Sequence, residues 1–403
     1  ALVDGAEATL FPTVSATGSG TREKGTASGS GTSSFGSAGP RNQFSANAGL
    51  SWAPDLWGKI RRTIEQNQAN AEASAGDVAN ARLTAQATLA TAYFQLRAAD
   101  SQKKLLDESV AAYTRNVQIV RNRYSAGTAA KSDLAQAITQ LDSTRAQAIN
   151  VGVARAESEH AIAVLVGKPP SALSLDPQEL ARSFPVVPTG LPSTLLERRP
   201  DIATAERQVA AANAGIGVAI AAYYPDLTLT GSYGVSGSRL ATLFQGPQTA
   251  WSLGGSLAET IFDAGARDAQ IDQARATWEA SVANYRQTVL TAFQSVEDQL
   301  STLRILEQQA VVQDRAVTEA REAEALILNQ YKAGLADYTA VITAETAALT
   351  DALTALQVRS SRATASVALI QDLGGGWNRS DLPGPDWIAD ATSPTTTTER
   401  EPQ

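Results

Sequence analysis

A chain of 403 residues without cysteine forms no disulfide, no thiolate metal site and no cysteine nucleophile, and its single histidine, His160, leaves no histidine triad or multi-histidine metal site within one copy. Its 33 basic and 41 acidic residues give a net charge of −8, which argues against a nucleic-acid surface. Methionine is also absent, so the chain is expected not to begin at a translation start, and it shows no signal peptide.

No segment supplies the ~20 continuous apolar residues of a spanning helix. The closest, 209–224, is built from Ala and Gly and contains Asn213. Membrane contact is therefore left to β-strands or to an anchor ahead of Ala1.

In chain order, residues 1–9 read as the end of a helix. Aligning Phe11-Pro12 with Tyr224-Pro225 sets Ala1 opposite Ala214, so the chain is expected to start partway through a unit that recurs. A strand over 13–21 is followed by a Gly/Ser/Thr-rich loop and a second strand over 43–52. There Phe44, Ala46, Ala48 and Leu50 alternate with Ser45, Asn47, Gly49 and Ser51. A long helix covers 58–124. Its Val78, Ala85, Ala92, Ala99, Leu106, Tyr113 and Val120 step by sevens, with Leu89, Leu96, Val110 and Val117 offset by four, the seam of a coiled coil. It ends at Tyr124-Ser125-Ala126-Gly127, where glycine suits a left-handed cap, and a helix returns over 131–166.

The stretch 168–192 holds Pro169, Pro170, Pro177, Pro185, Pro188 and Pro192 and reads as a crossover packed around the middle of the molecule. A helix over 193–222, with Asp201 at an N-cap, is placed against the upper part of the long helix of its own repeat. Strands follow over 226–236 and 249–261. Leu227, Leu229, Gly231, Tyr233 and Val235 alternate with small polar residues in one, and Trp251, Leu253, Gly255 and Leu257 in the other. The helix 264–331, roughly 100 Å long at ~1.5 Å per residue, carries Val282, Val289, Val296, Leu303, Ala310 and Val317 with Trp278, Tyr285, Ala292, Gln299, Leu306 and Gln313 on one stripe. The turn Tyr331-Lys332-Ala333-Gly334 leads to a returning helix over 337–373, and 375–403 reads as a disordered tail.

The two halves repeat. Gly58, Tyr124, Gly127 and Gly167 match Gly265, Tyr331, Gly334 and Gly374, each 207 residues later. A constant offset over a hundred residues marks a tandem duplication: 1–167 is the first repeat, incomplete at its front, and 193–374 the second. The predicted fold is mainly α with a small β part, built from long antiparallel coiled-coil hairpins and four strands. Strands apolar on one side and small and polar on the other suit an outer-membrane barrel, or hairpins packed on a soluble core. Four strands cannot close a barrel, and open edges cannot face lipid. A membrane barrel would therefore be shared, twelve strands from a trimer.

The segment Gly190-Leu191-Pro192-Ser193-Thr194-Leu195-Leu196-Glu197-Arg198-Arg199-Pro200-Asp201-Ile202, then Ala205-Glu206-Arg207, Ala211 to Ala219 and Tyr224-Pro225, closely resembles the TolC-type outer membrane efflux channels, in their lipoprotein (NodT- or OprM-like) branch. Ser51 to Gly58 and Ile261 to Gly265 resemble the family's strand-to-helix junctions, and the likeness spans 1–376. It implies a homotrimer with a twelve-stranded barrel in outer-membrane lipid, a twelve-helix periplasmic tunnel and an equatorial belt. It also implies a periplasmic adaptor and an inner-membrane transporter as partners, and a lipidated natural N-terminus. No cofactor, no metal and no nucleic acid are implied.

The resemblance also carries the site. Residues after each tip glycine would meet the adaptor: Gly127, Thr128, Lys131, Ser132 and Asp133, with Gly334, Leu335 and Asp337. A plain helical turn is the other reading of these residues. Where the family often has a carboxylate at the pore constriction, 338–343 has none, which leaves Thr339 and Thr343 as the candidates facing it. His160 reads as structural, Gly215-x-Gly217 follows no strand and is no dinucleotide fingerprint, and Glu297 and Asp298 read as a solvated face. The function expected is an exit duct passing small molecules outward, without catalysis. An outer-membrane component of a protein secretion system, or a filament-forming coiled-coil protein, are the alternatives.

Overall fold

The computed structural model describes residues 1–24, 40–181, 195–245 and 249–382. The elements run α1 (Leu2–Ala8), β1 (Thr13–Glu23), β2 (Arg41–Trp52), α2 (Lys59–Ser125), α3 (Lys131–Leu165), α4 (Leu195–Arg198), α5 (Pro200–Ala221), β3 (Asp226–Gly237), β4 (Thr249–Ala258), α6 (Ala266–Lys332) and α7 (Tyr338–Asp372). Among the described residues two compact units form, neither of which is a sequence repeat. One takes Ala1–Ala75, Thr204–Arg286 and Leu382, the other Gly76–Ala203 and Gln287–Asp381, so each draws on both halves of the duplication.

The first unit holds one antiparallel sheet in the order β1-β2-β3-β4. Register aligns the alternation of all four strands. Val14, Leu50, Gly231 and Leu253 share one row, and Ala16, Ala48, Tyr233 and Trp251 another on the same face. Ser15, Gly49, Ser232 and Ser252 form a row on the opposite face, where Ser232 and Ser252 pair through their hydroxyls at 2.8 Å, as do Ser19 and Ser45 at 2.8 Å. A one-residue slip would exchange the two faces, so the pattern fixes the pairing. The strand expected over 249–261 stops at Ala258. Its partner there, Asp226, follows Pro225, which has no N–H to extend the ladder.

Both long helices open on an aspartate. Asp55 accepts the backbone N–H of Ile60 and Arg61, each at 3.0 Å, and Asp263 accepts those of Gly265 at 3.1 Å and Arg267 at 3.2 Å. These bonds satisfy donors that a helix start leaves unpaired. The helix expected over 193–222 is interrupted at Arg199, because Pro200 disfavours a helical conformation in the residue before it; positions 193 and 194 lie outside the described residues. Nor does α5 cover the long helix of its own repeat alone. In the first unit it lies along α2: Thr204 donates to the Ala73 carbonyl at 3.3 Å, Arg207 pairs with Glu72 at 3.0 Å, and Gly217 leaves room for the Arg62 side chain.

In the second unit the predicted seam of α6 is buried or half-buried at every position from Ala292 to Val317. On α2 the seam from Ala92 to Val120 is buried, or half-buried at Val110, but Val78 is 70% exposed and Ala85 is exposed too. The last cover that α3 provides is Ile162 against Ala92 and Leu96. Beyond its end, among the described residues, no helix buries Val78.

The described part of the crossover, to residue 181, is pinned by charge. Asp100 accepts from Arg97, Arg155 and the Gln178 N–H, while Arg97 donates to the Asp176 carbonyl at 2.7 Å and Glu159 accepts the Leu175 N–H at 2.6 Å. The expected tail begins later than 375, since Asn378 and Asp381 close a short 3-10 turn at Arg379–Asp381; residues 383–403 lie outside the described residues.

Candidate functional site

The two hairpin turns are built alike. Gly127 and Gly334 adopt φ +74° and +79°, a region that costs any residue with a Cβ. Thr128 N–H returns to the Arg123 carbonyl and Leu335 N–H to the Gln330 carbonyl, both at 2.8 Å. These bonds close each helix end with a left-handed glycine cap. Gly127, Thr128, Lys131, Ser132, Gly334, Leu335 and Asp337 are exposed, and Asp133 is half-buried. Asp133 also serves locally, accepting the Ala130 N–H at 3.4 Å at the start of α3. Asp337 holds the matching N-cap position of α7 with no side-chain bond to the helix end.

A side chain absent from the sequence-derived set joins the two turns. Arg123, on α2, donates to the Tyr331 carbonyl and lies 4.5 Å over the Tyr331 ring. Tyr331 in turn meets Tyr338 edge-on at 5.2 Å. Below them Tyr113, Val117, Val120, Ala137, Leu141 and Val341 complete one core drawn from α2, α3, α6 and α7. The two turns thus sit over one shared core. Tyr331 is 4% exposed, whereas its repeat counterpart Tyr124 is 42% exposed.

Thr339 and Thr343 are exposed on α7, with the Thr343 hydroxyl donating to the Thr339 carbonyl at 2.9 Å. Thr346 and Thr350 continue the same helix face and are exposed as well.

Beneath the turn, Glu345 of α7 is 1% exposed. Asn116 donates to its Oε1, and the Tyr113 hydroxyl donates to its backbone carbonyl at 3.2 Å. Burial pushes the Glu345 carboxyl up to about 7 against the opposing bond from Asn116, and the charge of Glu324 adds to the rise. Burial and then the Glu345 charge also push the Tyr113 and Tyr338 hydroxyls up.

Arg123, Asn116 and Glu345 escape a search for matches because each departs from the repeat: their counterparts are Gln330, Ala323 and Ile138. Mismatches at the constant offset were the signal that could have found them. Among the described residues no three His, Asp or Glu side chains gather as a metal site would need, and no helix is long and apolar enough to cross a membrane.

The sequence model for the outer membrane efflux protein family matches residues 1–168 and 191–375. The toluene efflux pump outer membrane protein TtgC of Pseudomonas putida is 33% identical over 372 residues, 92% of this chain and 76% of that protein. The pyoverdine export outer membrane protein OpmQ of Pseudomonas aeruginosa is 33% identical over 344 residues, 85% of this chain and 72% of that protein. The solved structure of the outer-membrane channel OprN superposes with a TM-score of 0.86 at 29% identity, covering 93% of this chain and 84% of that one. With its strands, long helical hairpins and glycine-capped turns all inside the matched residues, the chain belongs to the outer membrane efflux protein family.

Proposed function

We propose that three copies of this chain form the outer-membrane exit duct of a tripartite efflux pump, passing small molecules outward without chemistry of its own. The observation that carries this is the sheet. Its apolar face is bare, with Leu253 81% and Trp251 72% exposed, and among the described residues β1 and β4 each leave an edge unpaired. Apolar side chains facing lipid are favourable, but unpaired edge amides in lipid cost several kcal/mol each. Three sheets joined edge to edge remove every edge and give twelve strands, with the serine and threonine face lining a polar lumen. The same closure supplies a neighbour for Val78 and Tyr124.

The helices of the second unit then stand in the periplasm. The exposed turn residues Gly127, Thr128, Lys131, Ser132, Asp133, Gly334, Leu335 and Asp337 meet a periplasmic adaptor, which joins the duct to an inner-membrane transporter. Thr339 and Thr343 face the constriction. What the relatives' names say they export, toluene and pyoverdine, supports small-molecule cargo.

The deciding measurement is the protein mass in detergent by light scattering. Three times the 42.1 kDa chain is expected. A monomer in plain buffer, or an open polymer, would leave the edges unpaired and overturn the reading.

A further inference from the structure

Glu345 has no role in the turn geometry or in the duct, yet it is among the most enclosed side chains of the second unit. Its Oε2 has no hydrogen-bond partner, and it makes no ion pair, among the described residues. A carboxylate held this way is strongly disfavoured as the anion, whereas the neutral acid tolerates it far better. Every element packed there adds polar or negative groups and no paired cation. Tyr113 and Asn116 come from α2, Gln140 on α3 bonds Tyr113, Glu324 and Tyr331 come from α6, and Tyr338 shares α7. Of the cations nearby, Arg123 is engaged by Tyr331 and Arg321 acts on Glu324.

The duplication supplies a control within the chain. The first hairpin carries Ile138 where the second has Glu345, and α6 carries Ala323 where α2 has Asn116. Hairpin formation therefore does not require this acid. The donor and the acceptor depart from the repeat together, and they join the two hairpins to each other.

We propose that Glu345 is a proton-operated latch between the hairpins: with its carboxyl protonated, α7 stays packed on α2 beneath the turns, and release of that proton to solvent loosens this packing. The sign follows from linkage. The packed arrangement raises the pKa above that of a free glutamate, so it binds the proton more tightly than the loosened one. Packing is therefore favoured at acid pH and loses ground as pH rises through about 7. The latch itself stands without the duct; only its consequence, a more open pore at higher pH, rests on that reading.

The test uses the full chain in detergent. Hydrogen exchange of peptides spanning 113–120 and 338–345 is measured at pH 6 and pH 8 and corrected for the intrinsic pH dependence. A coupling of one pKa unit corresponds to about tenfold in the opening equilibrium. The wild type should therefore open about tenfold more at pH 8. E345Q should show equal opening at both values, below the wild type at either. E345I, which copies the first hairpin, should do the same and decides the matter if Gln disturbs assembly. E324Q should keep most of the wild-type response, since Glu324 is the smallest contributor to the rise at Glu345. In the wild type alone, the infrared band of a protonated carboxyl should titrate near neutrality.

A pH response that survives in E345Q or E345I, one that vanishes in E324Q, or a wild type with no such band would overturn the latch. Planar-bilayer conductance is recorded alongside. Conductance that rises from pH 6 to pH 8 in the wild type and stays flat in E345Q extends the latch to the pore. Silence at both values would instead count against the duct, with exchange still deciding the latch.

Discussion

At Gly374 the backbone sits at φ +91°, and a Cβ added there would lie 1.9 Å from the Arg198 carbonyl oxygen. Beside it Arg199 holds Asp201 through two bonds of 3.0 and 2.7 Å and donates to the Asp372 carbonyl at 2.8 Å. The Arg-Arg-Pro-Asp run is thus a clasp between the end of α7 and the start of α5. G374A should lower stability by about 2–3 kcal/mol, strain and clash together. Gly376 has the same φ of +91° with nothing near its Cβ position, so G376A should cost only about 1–2 kcal/mol. Thermal unfolding followed by helical signal would resolve the difference. Asp100 is a second such point, with its side chain 2% exposed between Arg97 and Arg155. D100A leaves two guanidinium groups without their acid. It should cost roughly 3–5 kcal/mol and expose 175–180 to limited proteolysis, where the wild type is protected.

At the level of the helices, each long arm is closed by a glycine whose conformation, rather than its packing, is demanding. Nothing lies within 4 Å of a Cβ at Gly127, and only the tip of Arg123 approaches one at Gly334. Valine at either position should cost roughly 1–2 kcal/mol of local strain and reshape the turn. Loss of efflux with unchanged mass in detergent is the expected outcome of G127V and G334V; unimpaired export would count against docking there. Heptads made the long helices legible, because period and length are local properties of a sequence. Which helix covers which was not legible. The partner of α5 is set by the pairing of β2 with β3, which brings the helix before β3 beside the helix after β2, and Val78 carries a seam signature yet is 70% exposed among the described residues. The polar pair Asn116 and Glu345 was invisible for another reason. A duplicated sequence draws attention to what is shared, and these residues matter because they are not.

For the molecule as a whole, the sheet decides where the chain can live. Arginine in place of Leu253 should destabilise the assembled barrel by about 2–4 kcal/mol if that position lies near mid-bilayer. S252R, one residue along on the opposite face, should cost much less, and denaturant titration in liposomes would compare them. The same sheet sets an order of events. The β2–β3 ladder pairs Phe44 with Gly237 across α2, α3, α4 and α5, whereas β1–β2 and β3–β4 are local hairpins. A lone two-stranded ribbon is marginal in water, and contacts so distant in sequence form slowly. During synthesis and export, then, the first hairpin must wait for most of the chain before its apolar face has a sheet to belong to. The greasy face is therefore joined across its middle only once the whole first repeat and the start of the second have been made, a delay written into the topology.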